Sequence, residues 1–337
     1  MKAIVVEDLM TVKVKDVPEP RIESGRQVIV RVKASGICGS DMHTLKGTGV
    51  VKYPRIPGHE FVGVVEETGG EVTRVKVGDR VAVEPITYCG KCYACRKGRQ
   101  NVCTHLETAG VHFDGGMQEL FLTTEDKLYR LPDDITFHQA VLAEPYTIGL
   151  QIHDRAGTRA GDVVLIHGAG PIGMIALDVA KQRRATVIVS EMKKSRREMA
   201  EACGADYIVN PSDTSVRELA MELTHGIGPD VVIDAAGIPS LIAEGIDIVA
   251  PGGAVVNLCF TFKTVEFNML NVIAKEVRVV GSRLQNDKFP EVVGKYAERL
   301  KDLEKIITHT FPAERGKEAY DLFAKNLDTT GKIVVEF

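Results

Sequence analysis

The sequence lacks several features, and each absence narrows what the chain can do. No run of about 18 apolar residues occurs among the 337, so no segment has the length of a membrane-spanning helix. There is no basic tract and the formal net charge is -4, which argues against nucleic acid as a partner. The opening MKAIVVEDLM carries Glu7 and Asp8 where a secretion signal needs its apolar stretch. No repeat at a solenoid period and no low-complexity segment is visible. The balance of 44% hydrophobic and 26% charged residues is that of a soluble globular chain. A length of 337 residues exceeds what one compact domain usually holds, so two are expected.

The cysteines are few but clustered. Of seven, four (Cys89, Cys92, Cys95 and Cys103) fall in the pattern C-x2-C-x2-C-x7-C within a loop rich in Gly, Lys and Arg. That density argues against a disulfide framework and for a metal site in a reducing cytosol. Four thiolates around a divalent zinc form a closed tetrahedral site with no position left for substrate, so the expected role is structural. Lys91, Arg96, Lys97 and Arg99 surround the cluster and offset its negative charge.

The grammar of the chain changes once. Up to about residue 135 it consists of short β-type runs broken by Gly and Pro, such as KAIVV (2–6), QVIVRVKASGI (27–37), EFVGVVEETG (60–69), DRVAVEP (79–85) and QELFLTT (118–124). These predict an all-β, barrel-like domain. From about residue 143, apolar strands alternate with helical segments. The strands are 163–168, 186–190, 207–209, 230–237, 254–260 and 277–282. Six such cycles predict an α/β, doubly wound parallel sheet. An amphipathic helix is expected near 288–301. The final strand KIVVEF does not extend the alternation and is expected to return to the first domain.

The first turn of the predicted parallel sheet carries Gly168, Gly170 and Gly173 in GAGPIG, with Pro171 and Ile172 opening the following helix. After a strand and before a helix, this spacing fits a dinucleotide pyrophosphate: tight turn, close backbone approach, helix N-terminus aimed at the anion. Glu191 ends the second strand, where a carboxylate can accept adenosine ribose hydroxyls and would repel a 2′-phosphate. NAD is therefore expected over NADP. Lys193, Lys194, Arg196 and Arg197 pull the other way, since an arginine such as Arg196 could receive that phosphate.

A second candidate metal set is scattered: Cys38 in GICGSDMH, His59 and Glu60 in PGHE, and Glu144 in AEP. Neighbouring residues on a regular strand face opposite sides, but Pro57 and Gly58 permit an irregular backbone that turns both His59 and Glu60 inward. A thiolate, an imidazole and one or two carboxylates suit zinc and can leave a coordination position open. Read from periodicity alone, Cys38 could equally be a buried apolar thiol and His59 a structural histidine.

Together, GHE (58–60), C-G-S-D-x-H (38–43), the four-cysteine loop, DGG (114–116), AEP (143–145) and GAGPIG (168–173) resemble the zinc-dependent medium-chain dehydrogenases, in family order and over essentially the whole chain. The resemblance implies a GroES-like catalytic domain over 1–144 and 286–337, with a structural zinc lobe at about 86–104. It implies a Rossmann NAD-binding domain over 145–285 and an active site in the cleft between the two. It also implies two zinc ions per subunit, a small-molecule substrate and a homodimer or homotetramer built through the Rossmann domain. Glu144 stands where classical alcohol dehydrogenases have cysteine, as in the polyol and threonine dehydrogenases. In that branch Cys38, His59 and Glu60 would ligate the catalytic zinc, and Glu144 would bind directly or through water. Ser40 resembles the family's proton-relay hydroxyl, whereas Asp41 is expected to hold its loop by local hydrogen bonds. The four-cysteine lobe separates the chain from animal sorbitol dehydrogenases. GVHFDGG, GSRLQNDKFPEV, KIITHTF and GKIVVEF are most similar to bacterial sugar-acid dehydrogenases, including the L-gulonate and L-galactonate 5-dehydrogenases. L-threonine 3-dehydrogenase and a sorbitol-type polyol dehydrogenase are alternatives within the family, and a non-catalytic NAD(H)-binding regulator is one outside catalysis. For a sugar-acid carboxylate the candidate is Arg283, at the carboxyl end of the last parallel strand, with His43 and His112 as polar contacts to hydroxyls. His112 could instead cap its own loop.

Overall fold

The longest strand, Gln27–Ile37, organises the first half of the molecule because its apolar alternation is buried along nearly its whole length. The structure, a computed structural model, describes residues 1–48, 50–325 and 328–337. On one side Gln27–Ile37 pairs antiparallel with Glu60–Thr68, which passes the sheet on to Arg80–Val83 and Leu128–Arg130. On the other side its first residues pair with Leu120–Thr124 and its last with the final strand, Lys332–Glu336. The valines Val28, Val30 and Val32 meet Phe61, Val65, Val81 and Phe121 in one apolar core. The expected predominance of β-structure in this region is observed, interrupted only by short helices such as Asp41–Lys46 and Tyr93–Arg96 among the described residues, and the last strand returns to it as expected.

The second half is a six-stranded parallel sheet. In chain order its strands are Val163–His167, Thr186–Ser190, Tyr207–Val209, Val231–Asp234, Ala254–Asn257 and Arg278–Gly281. They lie side by side in the order third, second, first, fourth, fifth, sixth. Helices such as Pro171–Gln182 and Pro239–Ile248 intervene between them, as expected for a doubly wound fold whose inner strands are buried on both faces. The chain divides into two compact units, Met1–Glu144 with Asn286–Phe337, and Pro145–Gln285.

Three features depart from the sequence reading. The single helix expected near 288–301 is two, Phe289–Gly294 and Ala297–Asp302. Gly294 ends the first because glycine holds helical geometry weakly, and Tyr296 leaves the helical region with φ -107° while its ring is buried. The strand Ile307–Pro312, parallel to the last strand, was not anticipated, because its side chains are mostly half-buried and show no apolar alternation. The helix Gly316–Lys325 was also missed, although Ala319 and Tyr320 bury its inner face.

Two buried histidines in the second unit give that unit an acid limit. The His153 ring donates from Nε2 to the Ala176 carbonyl (2.8 Å) and accepts at Nδ1 from the Thr158 hydroxyl (2.8 Å). Burial pushes both His153 and His167 down to about 4. The unfolded chain takes up these protons near the ordinary histidine value of ~6.5, while the folded chain does so only lower. The stabilisation is therefore complete above ~6.5 and is lost as pH falls towards 4, by up to about 3 kcal/mol per histidine. Urea midpoints measured across this window should fall steeply with acidification, and a flat profile would refute the assignment.

Candidate active site and metal centres

The first cluster begins where Gln27–Ile37 ends. Cys38 follows the strand directly, and its backbone N–H donates to Asp41 Oδ2 at 3.0 Å. This bends the chain into the short helix Asp41–Lys46 and gives Asp41 the loop-holding part expected of it. On the opposite segment, Gly58 sits at φ +98°, and a Cβ there would lie 3.1 Å from the Met117 nitrogen. The DGG turn fixes this irregular backbone: Asp114 Oδ1 accepts from the Ile56 N–H and the Arg55 guanidinium. Gly116 and Met117 in turn donate to the Gly58 and Pro57 carbonyls. His59 therefore precedes the strand and Glu60 opens it, so the pair escapes the opposite-face rule.

The ligand atoms of Cys38, His59 and Glu60 all lie within 4.8 Å of one another. His59 Nε2 is 3.3 Å from Ser40 Oγ, and its Nδ1 is 3.8 Å from Asp41 Oδ1. His59 Nδ1 and Asp41 Oδ1 are both buried without a hydrogen-bond partner. Burial alone would lower the His59 pKa, yet Cys38, Asp41 and Glu144 hold it well above the ordinary value. Glu144 lies outside the tight trio but is buried and feels the same charges. Its pKa is pushed up to about 7, first by burial and then by Glu60 and Asp41, against the pull of His59 and Lys332. A pocket with a soft sulfur, a buried imidazole, buried carboxylates and orphaned polar atoms fits a divalent cation of zinc's preferences.

Sequence reasoning missed Lys332. Its ammonium donates to both Glu60 oxygens (2.7 and 2.6 Å) and to the Ile37 carbonyl, with both residues buried. Lys332 thus engages both oxygens of the carboxylate that Glu60 brings to the trio. The signal was a lysine opening an otherwise apolar strand, KIVVEF.

The four cysteines form the second cluster, again with sulfurs within 4.8 Å of one another. The lobe is closed by the short antiparallel pair Ile86–Thr87 and Glu107–Thr108. Backbone N–H groups point at the sulfurs, Cys92 at Cys89 Sγ (3.3 Å) and His105 at Cys103 Sγ (3.3 Å). The Cys92 thiol is held down at about 5, chiefly by the Cys95 and Thr104 N–H groups. Burial, with its neighbouring cysteines, pushes the Cys95 thiol up to about 12; all seven cysteines are free of disulfides, and a cage of four converging sulfurs fits a closed zinc site.

In the second unit Gly168 adopts φ +95° immediately after the first parallel strand. Gly170 caps the helix that Pro171, Ile172 and Gly173 open. A Cβ on Gly173 would lie 2.0 Å from the Gly168 carbonyl oxygen, which explains the close-packing glycine. Glu191 Oε2 accepts from the Ala169 N–H in this turn (2.8 Å) and Oε1 from the Lys193 N–H (2.9 Å). Arg197 donates to the Glu191 carbonyl, and Arg196 is half-buried on the next helix. The remaining lone pairs of Glu191 could still receive ribose hydroxyls.

The three candidate substrate contacts fare differently. His112 Nδ1 accepts from the Thr108 N–H (3.0 Å) and the His112 backbone N–H donates to the Thr108 carbonyl, bonds that hold its loop through Nδ1 and the main chain. His43 is exposed and 2.9 Å from Thr48 Oγ1. Arg283 is exposed two residues beyond the last parallel strand.

Comparison with known proteins decides the family. Residues 24–133 match the alcohol dehydrogenase GroES-like domain and residues 171–298 the zinc-binding dehydrogenase domain. The chain is a zinc-type medium-chain alcohol dehydrogenase. Over 100% of its length it is 36% identical to the starvation-sensing protein RspB of Escherichia coli K12, covering 99% of that protein. A crystal structure of rspB from E. coli CFT073 complexed with NADH superposes with a TM-score of 0.94 at 36% identity, covering 100% of this chain and 99% of that one. Sorbitol dehydrogenase of Halalkalibacterium halodurans is 34% identical, covering 91% of both chains. The dehydrogenase thus belongs to enzymes that act on CH–OH donors.

Proposed function

We propose that the dehydrogenase oxidises a secondary hydroxyl of a sugar acid or polyol to a ketone with NAD+, in the manner of an L-gulonate or L-galactonate 5-dehydrogenase. The observation that carries this reading is the Cys38, His59 and Glu60 trio with a buried glutamate, Glu144, beside it. Relatives named as sorbitol dehydrogenase and D-xylulose reductase support a polyhydroxylated substrate, with a sorbitol-type polyol or L-threonine as the alternatives.

Cys38, His59 and Glu60 would hold the catalytic zinc, with Glu144 binding directly or through water. Cys89, Cys92, Cys95 and Cys103 would hold a second, structural zinc. Zinc, when bound, acidifies an alcohol as a Lewis acid, and NAD+ takes the hydride. Ser40, exposed and 3.3 Å from His59 Nε2, would relay the proton by accepting a hydrogen bond from the substrate hydroxyl and passing on its own hydroxyl proton as it takes up the substrate's, with Glu60 or Glu144 handing the proton to water. Asp41 keeps the Cys38 turn and faces His59, and Lys332 restrains Glu60. Glu191 receives the adenosine ribose and disfavours a 2′-phosphate, with Gly168, Gly170 and Gly173 lining the pyrophosphate turn, so NAD should be used more efficiently than NADP.

A homo-oligomer is supported by the second unit's surface. The outermost parallel strand, Arg278–Gly281, has a free sheet edge among the described residues, and Phe262, Met269, Leu270 and Ile273 are all exposed. Free thiols throughout support a reducing, cytosolic setting. The RspB name is the one observation favouring an NAD(H)-sensing regulator, and the retained metal-type cluster weighs against it.

The test is NADH production with aldonates, alditols, threonine and simple secondary alcohols, repeated with Arg283→Leu. If Arg283 grips a substrate carboxylate, the Michaelis constant for aldonates rises ~10-fold or more while alditols are little affected, as expected for losing a charge-assisted contact. Equal losses on both would shift the assignment to polyols.

A further inference from the structure

The carboxyl edge of the parallel sheet carries a polar row with no part in the metal clusters or the pyrophosphate turn. Ser190, His167, Asp234 and Asn257 are register partners at the ends of four neighbouring strands, so their side chains share one face. His167 and Asp234 end the first and fourth strands, which flank the point where the strand order reverses, the place where such sheets bind ligands. Asp234 is fully buried. Its Oδ1 accepts from the Ala236 and Gly237 N–H groups (3.1 and 3.0 Å), and its Oδ2 accepts from the Cys259 thiol (2.9 Å). One carboxylate thereby ties the loop after the fourth strand to the loop after the fifth. Beside it, His167 Nε2 is buried with no hydrogen-bond partner on a side chain 2% exposed.

We propose that Asp234 and Cys259 form a thiol–carboxylate latch that positions the two crossing loops for the nicotinamide half of the dinucleotide. The inference rests on the NAD reading: with Glu191 placed for the adenosine ribose after the second strand, the other half of the cofactor falls to the fourth and fifth strands. Cys259 acts as a neutral donor and not as a nucleophile. Burial and the Asp234 carboxylate push its thiol up to about 12, so it keeps its proton at any physiological pH. Both residues are positioning residues, acting through the loops they join.

The experiment uses the zinc-loaded full chain. NADH affinity is read by its fluorescence, and iodoacetamide labelling of Cys259 is located by mass spectrometry with and without saturating NADH. Wild type should bind NADH and label slowly between pH 7 and 9, more slowly still with NADH. Cys259→Ala should weaken NADH ~10-fold, the loss of a hydrogen bond to a charged group, and Cys259→Ser, which keeps a donor, should restore affinity to within about threefold. Asp234→Asn should speed labelling at pH 8 at least ~10-fold by freeing the thiol proton. Unchanged NADH affinity in Cys259→Ala, or labelling indifferent to NADH, overturns the latch and leaves the NAD reading standing. Absence of NADH binding by the wild type overturns both.

Discussion

Alanine at Cys38 or His59 should abolish turnover in a protein that keeps its fold, whereas alanine at Cys92 or Cys95 should chiefly unfold. The two clusters differ in what surrounds them. The first trio is built on a sheet strand and a glycine-rich turn held by the DGG backbone bonds, so losing one ligand leaves the core intact. The cysteine lobe has two two-residue strands and very short helices, too little to hold itself together. Metal binding there is folding free energy. Metal analysis should return about two zinc ions per chain for wild type and about one for each kind of variant. A Cys92→Ala protein with unchanged thermal stability but no activity would exchange the two assignments.

Lys332→Met should strongly destabilise the first unit. Removing the ammonium leaves the Glu60 carboxylate buried beside Asp41 and Glu144 without its counter-charge, and breaking a buried pair in this way costs about 3–5 kcal/mol. Adding zinc should recover part of the loss, because the cation supplies a replacement charge. Lys332→Met combined with Glu60→Gln should recover most of it, because no uncompensated charge remains. Urea unfolding of the single and double variants measures this. A single variant no less stable than the double would show that the pair carries no charge-compensating role.

Most of the fold could be read from the sequence because its strands are short, apolar and closely bounded. TVIVS (186–190), YIV (207–209) and QVIVRVKASGI (27–37) appear with the expected limits. Ile307–Pro312 escaped because a half-buried edge strand shows no alternation. The metal-type clusters were visible as residue types, since cysteine spacing survives without three-dimensional information. What could not be read was how charge is balanced. The Glu60–Lys332 pair spans 272 positions, and no periodicity links such distant residues. His112 shows a second kind of long-hidden detail: its Nδ1 is taken by the Thr108 N–H of its own loop, a local bond that no sequence pattern announces.

The place of Lys332 in the chain also dictates when the first unit can be completed. The strand that carries it docks beside Gln27–Ile37, and Lys332 bonds the Ile37 carbonyl across 295 positions. At 5–20 residues per second, the ribosome needs roughly 15–60 s to make that stretch. During this interval Cys38, His59 and Glu60 have emerged, but the counter-ion of Glu60 and one edge of their sheet do not yet exist. The nascent first unit therefore waits with an open strand edge and an unbalanced carboxylate while the intervening parallel sheet is synthesised. Long-range pairing of this kind slows folding and exposes chains to aggregation. Charge balance at Glu60 is thus tied to the synthesis of residue 332, and a chain arrested before it would carry the Glu60 carboxylate without its counter-ion.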